Sequence, residues 1–253
     1  DFGSVGILGG APGMVGAALL AGRAALHCGA GRVYVGLLDE RLAADPVCPE
    51  LMLVTAEDLP ALPGPSCLIV GPGMGASSRA RMLLEAALKL EQTLLLDADA
   101  LNLLADDGEL LSLLRTRSSA TLLTPHPGEA ARLLKLDTSG IQRDRIGALA
   151  RLIALTGATV ALKGHATLVR HPDGDIWCNG SGNAAMAAPG MGDVLTGIVA
   201  ALIAQGMSVE HAAVVGVWLH GQAGDDLMAS GNGLICLTAS EIIQSARGVL
   251  ARI

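Results

Sequence analysis

An α/β fold, with a mostly parallel central sheet and helices on both faces, follows from three observations in this chain of 253 residues. Apolar runs of strand length alternate with longer stretches of helical periodicity almost from end to end. That alternation belongs to β-α-β units, whose crossovers lay helices on the two faces of a parallel sheet. Several of the strand-length runs end in glycine-rich or polar turns, and open sheets of this kind bind ligands beyond the carboxyl ends of their strands.

Taken in order, residues 5–8 read as a strand that ends in Gly9, Gly10, Ala11, Pro12 and Gly13 and feeds a helix over 14–28. Residues 33–37 read as the next strand, and 67–70 as a third, which ends in Gly71, Pro72, Gly73, Met74 and Gly75 before a helix over 78–90. A strand over 93–96 ends in Asp97, Ala98 and Asp99, and one over 121–123 ends in Thr124, Pro125 and His126 before a helix over 128–136. A helix over 144–155 precedes a strand over 160–162, which ends in Lys163, Gly164 and His165. The rhythm then breaks. Residues 167–170 and 175–177 flank His171, Pro172, Asp173 and Gly174, a hairpin turn that predicts an antiparallel pair near the sheet edge. The rest reads as helices over 194–205, 209–229 and 239–251. No internal repeat, low-complexity tract or linker interrupts this order, so one domain over 1–253 is expected.

Composition narrows the function classes. Aromatic residues make up 2% of the chain and the net charge is −7, which excludes the stacking platforms and basic grooves of single-stranded nucleic-acid binding. Phosphate ligands must therefore be held by loop amides and one or two placed lysines or arginines. Cys28, Cys48, Cys67, Cys178 and Cys236 are scattered without zinc-ligand spacing, an odd set that suits the reducing cytoplasm. No basic, apolar leader precedes the first strand. The longest uncharged apolar run, between Asp193 and Glu210, is interrupted by Gly197, Gln205 and Gly206 and is too short for a membrane span. Because the chain starts at Asp1 in what reads as a strand, an upstream segment is expected to have been removed or left out.

Five strand-end turns converge on one edge of such a sheet; Gly71 to Gly75 offers unobstructed backbone amides there, and further candidates lie in the other turns and in one glycine turn before a helix. The segment NAAMAAPGMGDVLTG, residues 183–197, sets Asp193 behind a glycine turn and in front of an apolar run that reads as a helix. Free N–H groups and the positive dipole end attract phosphate oxygens at a helix start, and an adjacent carboxylate can take a proton. The plainer reading makes Asp193 a helix cap. Asp97 and Asp99 are carboxylates at a strand end, suited to holding magnesium through water, although Asp99 would also serve as an N-cap. His126, fenced by Pro125 and Pro127, can bind a polar group or shuttle a proton, while Pro127 and Glu129 also make a good helix start. Lys163 is followed by a glycine that lets the chain turn toward an anion. The first turn resembles a dinucleotide fingerprint with Asp39 as its acid, but Gly10, Gly13 and Gly16 miss the required spacing.

With DADALN, TPHPGE, LKGHAT and GMGDVLTG present in that order, the chain resembles the ADP/ATP-dependent NAD(P)H-hydrate dehydratase family, a group with a ribokinase-like three-layer α/β/α fold. The resemblance runs from Gly3 to the C-terminus. It implies repair of the 6S hydrates of NADH and NADPH (NADHX and NADPHX) by ADP or ATP with Mg²⁺. Phosphorylation of the C6 hydroxyl would be followed by loss of phosphate. It also implies that Asp193 is the base and that Gly190, Met191 and Gly192 form the anion hole. Ala17, Gly73 and His126, with Asp193, would contact the hydrated dinucleotide. Lys163, Gly164, His165, Ala166 and Thr167, with Gly192, would contact ADP. Metal ligands are not specified. A homotetramer and an upstream epimerase domain are common in the family. Pro189 stands where the family usually has glycine, which removes one amide donor, and Ala185 replaces another glycine. Two other functions fit the same residues: a small-molecule kinase that keeps its phosphorylated product, and a catalytically silent nucleotide-binding protein.

Overall fold

A computed structural model describes residues 2–62, 64–232 and 237–252, so Asp1 and Cys236 lie outside the described residues. The apolar runs form β1 (Ser4–Gly9), β2 (Arg32–Leu37), β3 (Met52–Thr55), β4 (Cys67–Val70), β5 (Thr93–Leu96), β6 (Thr121–Leu123), β7 (Thr159–Leu162), β8 (Leu168–Arg170) and β9 (Trp177–Cys178). They join in one sheet of order β3-β2-β1-β4-β5-β6-β7-β8-β9. All pairs from β3 through β7 are parallel, while β8 and β9 add antiparallel at the edge, as the hairpin turn predicts.

The helices are α1 (Val15–His27), α2 (Ser78–Leu88), α3 (Asp99–Asp106), α4 (Gly108–Arg115), α5 (Pro127–Leu134), α6 (Thr138–Arg143), α7 (Arg145–Thr156), α8 (Met191–Ala204), α9 (Val209–Leu227) and α10 (Ala239–Leu250). Alternate residues of the strands from β1 to β8 feed two separate cores. Ile7, Ile69, Leu95 and Leu122 join α1, α8, α9 and α10 on one face. Leu8, Val70, Leu96 and Leu123 join α2 through α7 on the other. The result is three layers, α/β/α. On the first face α8 lies almost against α1: a Cβ at Gly197 would collide with the Ala21 carbonyl, so only glycine permits the approach.

Five elements differ from expectation because their signals are short. β3 is a four-residue edge strand with Met52 exposed, and α6 spans six residues. α3 and α4 are separated by Asp107 alone, which ends one helix and caps the next by accepting from the Glu109 and Leu110 amides. The last strand pairs through Trp177 and Cys178 rather than 175–177.

The start of α8 is a correction with consequences. The helix begins at Met191, not at 194, because Gly190 at φ 83° turns the chain directly into it. Asp193 therefore sits inside the first turn and does not cap the helix.

Candidate functional site

The strand order reverses direction between β1 and β4, which opens a crevice at their carboxyl ends. The two loops there are tied together, with Gly10 N–H donating to Pro72 O at 2.9 Å and Ala11 N–H to Gly73 O at 2.6 Å. The ends of β5, β6 and β7 continue the same edge. Seven helices receive a side-chain cap: α2, α4, α5, α6, α7, α9 and α10. α1, α3 and α8 receive none. α1 and α3 start from the crevice edge, and α8 reaches it through Gly190, whose Cβ would press on Leu20 of α1 at 2.7 Å. In α1 and α3 backbone carbonyls take up some of the first amides, with Ala17 N–H donating to Met14 O and Ala100 N–H to Asp97 O, whereas the first-turn amides of α8 stay open to a ligand. Backbone strain gathers here too: Ala98 and Ala166, at φ 49° and 52°, are two of the three non-glycine residues with positive φ among the described residues.

Under the first turn of α8 lies a cluster of buried charge. Lys163 Nζ contacts Asp97 Oδ1 at 2.6 Å and Glu129 Oε2 at 3.9 Å, and Thr124 Oγ1 donates to Asp97 Oδ1 at 2.7 Å. Asp97 and Glu129 are 2% and 4% exposed. Gly192 rests on this pair, since a Cβ there would stand 3.1 Å from Lys163 Nζ and 3.5 Å from Asp97 Oδ2. Burial alone would lower the Lys163 pKa, but Asp97, Glu129 and Asp193 reverse it, and the ammonium is held more firmly charged than usual. Asp193 behaves oppositely. Burial and the negative charge of Asp97 outweigh the pull of Lys163 and push its carboxyl up to about 7, the range of a working base. Glu129 rises to about 7 as well, chiefly through burial.

The other predicted residues fall around this cluster. Gly73, at φ 59°, packs on α1 so closely that a Cβ would lie 3.2 Å from Ala17 Cβ, placing Ala17 and Gly73 side by side at the β1–β4 crevice. Asp99 lies in the first turn of α3 and accepts from the Gly75 amide at 2.8 Å; it does not cap the helix, a role that falls to Ala98. His126 does cap: its Nδ1 accepts from the Gly128 and Glu129 amides at 2.9 and 3.3 Å, while Glu129 Oε2 accepts from the His126 amide at 2.7 Å. An accepting Nδ1 leaves the proton on Nε2, which faces Glu129 Oε1 at 3.3 Å. The ring is thus a donor held in one tautomer, and the proton-shuttle role does not fit it. Asp39 is taken up by Arg41, which bonds both of its carboxylate oxygens, so it offers nothing to a ribose.

Lys163, Gly164, His165, Ala166 and Thr167 form one wall of a cavity of about 530 Å³. Met191 and Gly192, residues 181–184, and His220 and Gly221 of α9 also line it. Arg145 braces the first wall, donating to the carbonyls of Leu162, Lys163 and Ala166. Burial pushes His220 down to about 4, so it is uncharged at neutral pH, and its Nε2 has no hydrogen-bond partner among the described residues. Neither Arg145 nor His220 stands in a glycine turn, and the Lys163 and Ala166 carbonyls that Arg145 holds are 18 and 21 residues away in sequence, so periodicity and turn chemistry pass both over.

Residues 5–246 match the sequence model of one family, described as NAD(P)H-hydrate dehydratase. The chain belongs to that family. It is 43% identical over its whole length to the ADP-dependent (S)-NAD(P)H-hydrate dehydratase of Neisseria meningitidis, covering 86% of that protein. It is 39% identical to the bifunctional NAD(P)H-hydrate repair enzyme of Escherichia coli, which 90% of the chain matches over 44% of the longer protein's length. Among solved structures, the Bacillus subtilis ADP/ATP-dependent NAD(P)H-hydrate dehydratase, co-crystallised with ATP and Mg²⁺, superposes with a TM-score of 0.84 at 28% identity, covering 99% of this chain and 90% of that one. A hydroxyethylthiazole kinase from Pyrococcus horikoshii superposes at 0.68 with 16% identity, which shows the ribokinase-like fold alone. Among the described residues no helix of this family member is long and apolar enough to cross a membrane.

Proposed function

We propose that this chain dehydrates the 6S hydrates of NADH and NADPH with ADP as phosphoryl donor, giving AMP, phosphate and the reduced nucleotide. The observation that carries the reading is the uncapped first turn of α8, which presents open amides beside a carboxylate raised to about 7, over the charged pair Lys163–Asp97. The free amides of Gly190, Met191 and Gly192 hold the transferring phosphoryl group, where fixed dipoles stabilise developing charge without reorganisation. Asp193 removes the proton from the C6 hydroxyl, and that oxygen attacks the terminal phosphorus while the bond to AMP breaks. The C6–O bond then breaks with phosphate as leaving group, C5 loses a proton, and the ring double bond returns.

Ala17, Gly73 and His126 contact the hydrated dinucleotide in the crevice. Lys163, Gly164, His165, Ala166, Thr167 and Gly192 contact ADP in the cavity beside α8. Asp97 keeps Lys163 charged and in place, and the fixed His126 tautomer makes that ring an orienting donor. Magnesium carried by the nucleotide would neutralise phosphate charge. Asp97 and Asp99 would reach it only through water.

One catalytic domain of this kind, working in the cytoplasm, assembles as a homo-oligomer, on the expectation of a tetramer. Support comes from the exposed Ile176, Trp177 and Trp218, the last two lining an apolar groove at the β9 edge. An epimerase that interconverts the hydrate epimers would be its partner, fused or separate. The test mixes hydrated NADH with ADP or ATP and Mg²⁺ and follows NADH absorbance and phosphate release. Recovery with one phosphate per NADH is expected; a phosphorylated product that accumulates would favour the kinase reading, and no turnover with either nucleotide would favour a silent binding protein.

A further inference from the structure

The wall of the cavity formed by residues 181–184 belongs to an extended segment between β9 and α8, and little of it is covered by regular structure. It is held by α9. Asp225 accepts from the Gly182 amide through Oδ2 at 2.8 Å and from Asn183 Nδ2 through Oδ1 at 2.9 Å. Asn183 is engaged on its other side as well, its Oδ1 accepting from the Ala185 amide at 3.1 Å. Ser181 Oγ donates to the Trp218 carbonyl at 2.9 Å. The approach is possible because α9 is bare where the segment lies: a Cβ at Gly221 would collide with Ser181, and one at Gly224 with Met186. Gly182 adopts φ 97°, which brings its amide to the carboxylate.

We propose that Asp225 is a positioning residue for the nucleotide: by clasping Gly182 and Asn183 it sets the wall against which ADP binds. This rests on the nucleotide reading of the cavity. The clasp sits ten residues before Asp193 and grips the first residue of the NAAMAAPGMGD segment, but it touches neither Asp193 nor the α8 amides. Its loss therefore weakens ADP binding and leaves the chemical step largely alone. A carboxylate is the right group because both partners donate, and Asn183 must keep its own oxygen for Ala185.

That polarity supplies the test. Asp225→Asn meets Gly182 with its oxygen but turns an amide toward the Asn183 amide, so one hydrogen bond is lost whichever way Asn183 rotates. Asn183→Asp sets two carboxylates face to face. The double exchange, Asn183→Asp with Asp225→Asn, rebuilds all three bonds, with donor and acceptor reversed only between the 183 and 225 side chains, because the Gly182 and Ala185 amides still donate. ADP affinity is measured by calorimetry for the wild-type chain and the three variants, with kcat and KM for ADP and a melting curve for each. Each single exchange is expected to weaken ADP about tenfold with kcat within about threefold, and the double exchange to regain affinity to within about threefold of wild type. Even where a single variant fails to fold, the double exchange must fold and bind. An Asp225→Asn affinity within twofold of wild type, a double exchange no tighter than the singles, or a loss confined to kcat overturns the proposal. Wild-type protein that binds no ADP would instead overturn the nucleotide reading itself.

Discussion

Replacing Asp193 by asparagine should destroy activity and make the protein more stable. The carboxyl is moved from 3.8 to about 7 by burial and by Asp97, so ionising it in the folded chain is unfavourable. A raised acid costs nothing below its unfolded value, because both states are then protonated. The cost grows as pH rises from 3.8 to about 7 and is complete above that. At ~1.4 kcal/mol for each pH unit the full cost is about 4 kcal/mol, and solvent reaching the half-open carboxyl reduces it to about 2 kcal/mol. Asparagine has the same shape and no charge to ionise. At pH 8 the variant should melt about 4–8 °C above wild type, and the gap should close as pH falls toward 4. Glu129 rises into the same range and is present in both proteins, and its negative charge is one of the smaller causes that raise Asp193. Turnover should fall by about 10²–10⁴-fold, the worth of a general base. Calorimetric melts of both proteins from pH 4 to 8 decide the matter. A variant that melts at or below wild type at pH 8 refutes the claim that Asp193 is held ionised at a cost to the fold.

Three further outcomes follow from the same cluster. Lys163→Met leaves Asp97 buried without a counter-charge, and breaking such a pair costs about 3–5 kcal/mol, so melting should fall by about 10 °C; adding Asp97→Asn should restore part of the stability and none of the activity. Gly192→Ala sets a methyl on the cavity lining 3.1 Å from Lys163 Nζ, and ADP affinity measured by titration should drop at least about tenfold while the melting temperature moves by less than about 3 °C. Pro189→Gly should leave turnover within about twofold, because Pro189 precedes the helix cap and is not one of the four open amides contributed by Gly190, Met191, Gly192 and Asp193; a large gain in rate would place the missing amide inside the anion hole.

The strands were legible because a buried parallel strand is a continuous apolar run, and residues 67–70, 93–96 and 121–123 match β4, β5 and β6 to the residue. β3, α4 and α6 were not, since short or partly exposed elements leave no period to read. Within the site, glycine turns and prolines marked Asp193, Lys163 and His126. What those side chains do depends on partners far away in sequence. Lys163 meets Asp97 across 66 residues, and Asp225 reaches Asn183 across 42. The local signal at His126 marks a helix start, and the ring caps α5. Only the geometry reveals that capping fixes its tautomer. The amide missing at Pro189 lies one residue before the Gly190 cap of α8, a placement the glycine turn alone does not give.

The path of the C6 oxygen tests the central claim most directly. Hydrated NADH carrying ¹⁸O in its C6 hydroxyl is converted with ADP and Mg²⁺, and the released phosphate and water are analysed by mass spectrometry. Phosphorylation of that hydroxyl followed by elimination places one ¹⁸O in each phosphate and none in water. Unlabelled phosphate with ¹⁸O in water would mean that the hydroxyl leaves without ever being phosphorylated, which contradicts the assignment of Asp193 and the α8 amides to phosphoryl transfer.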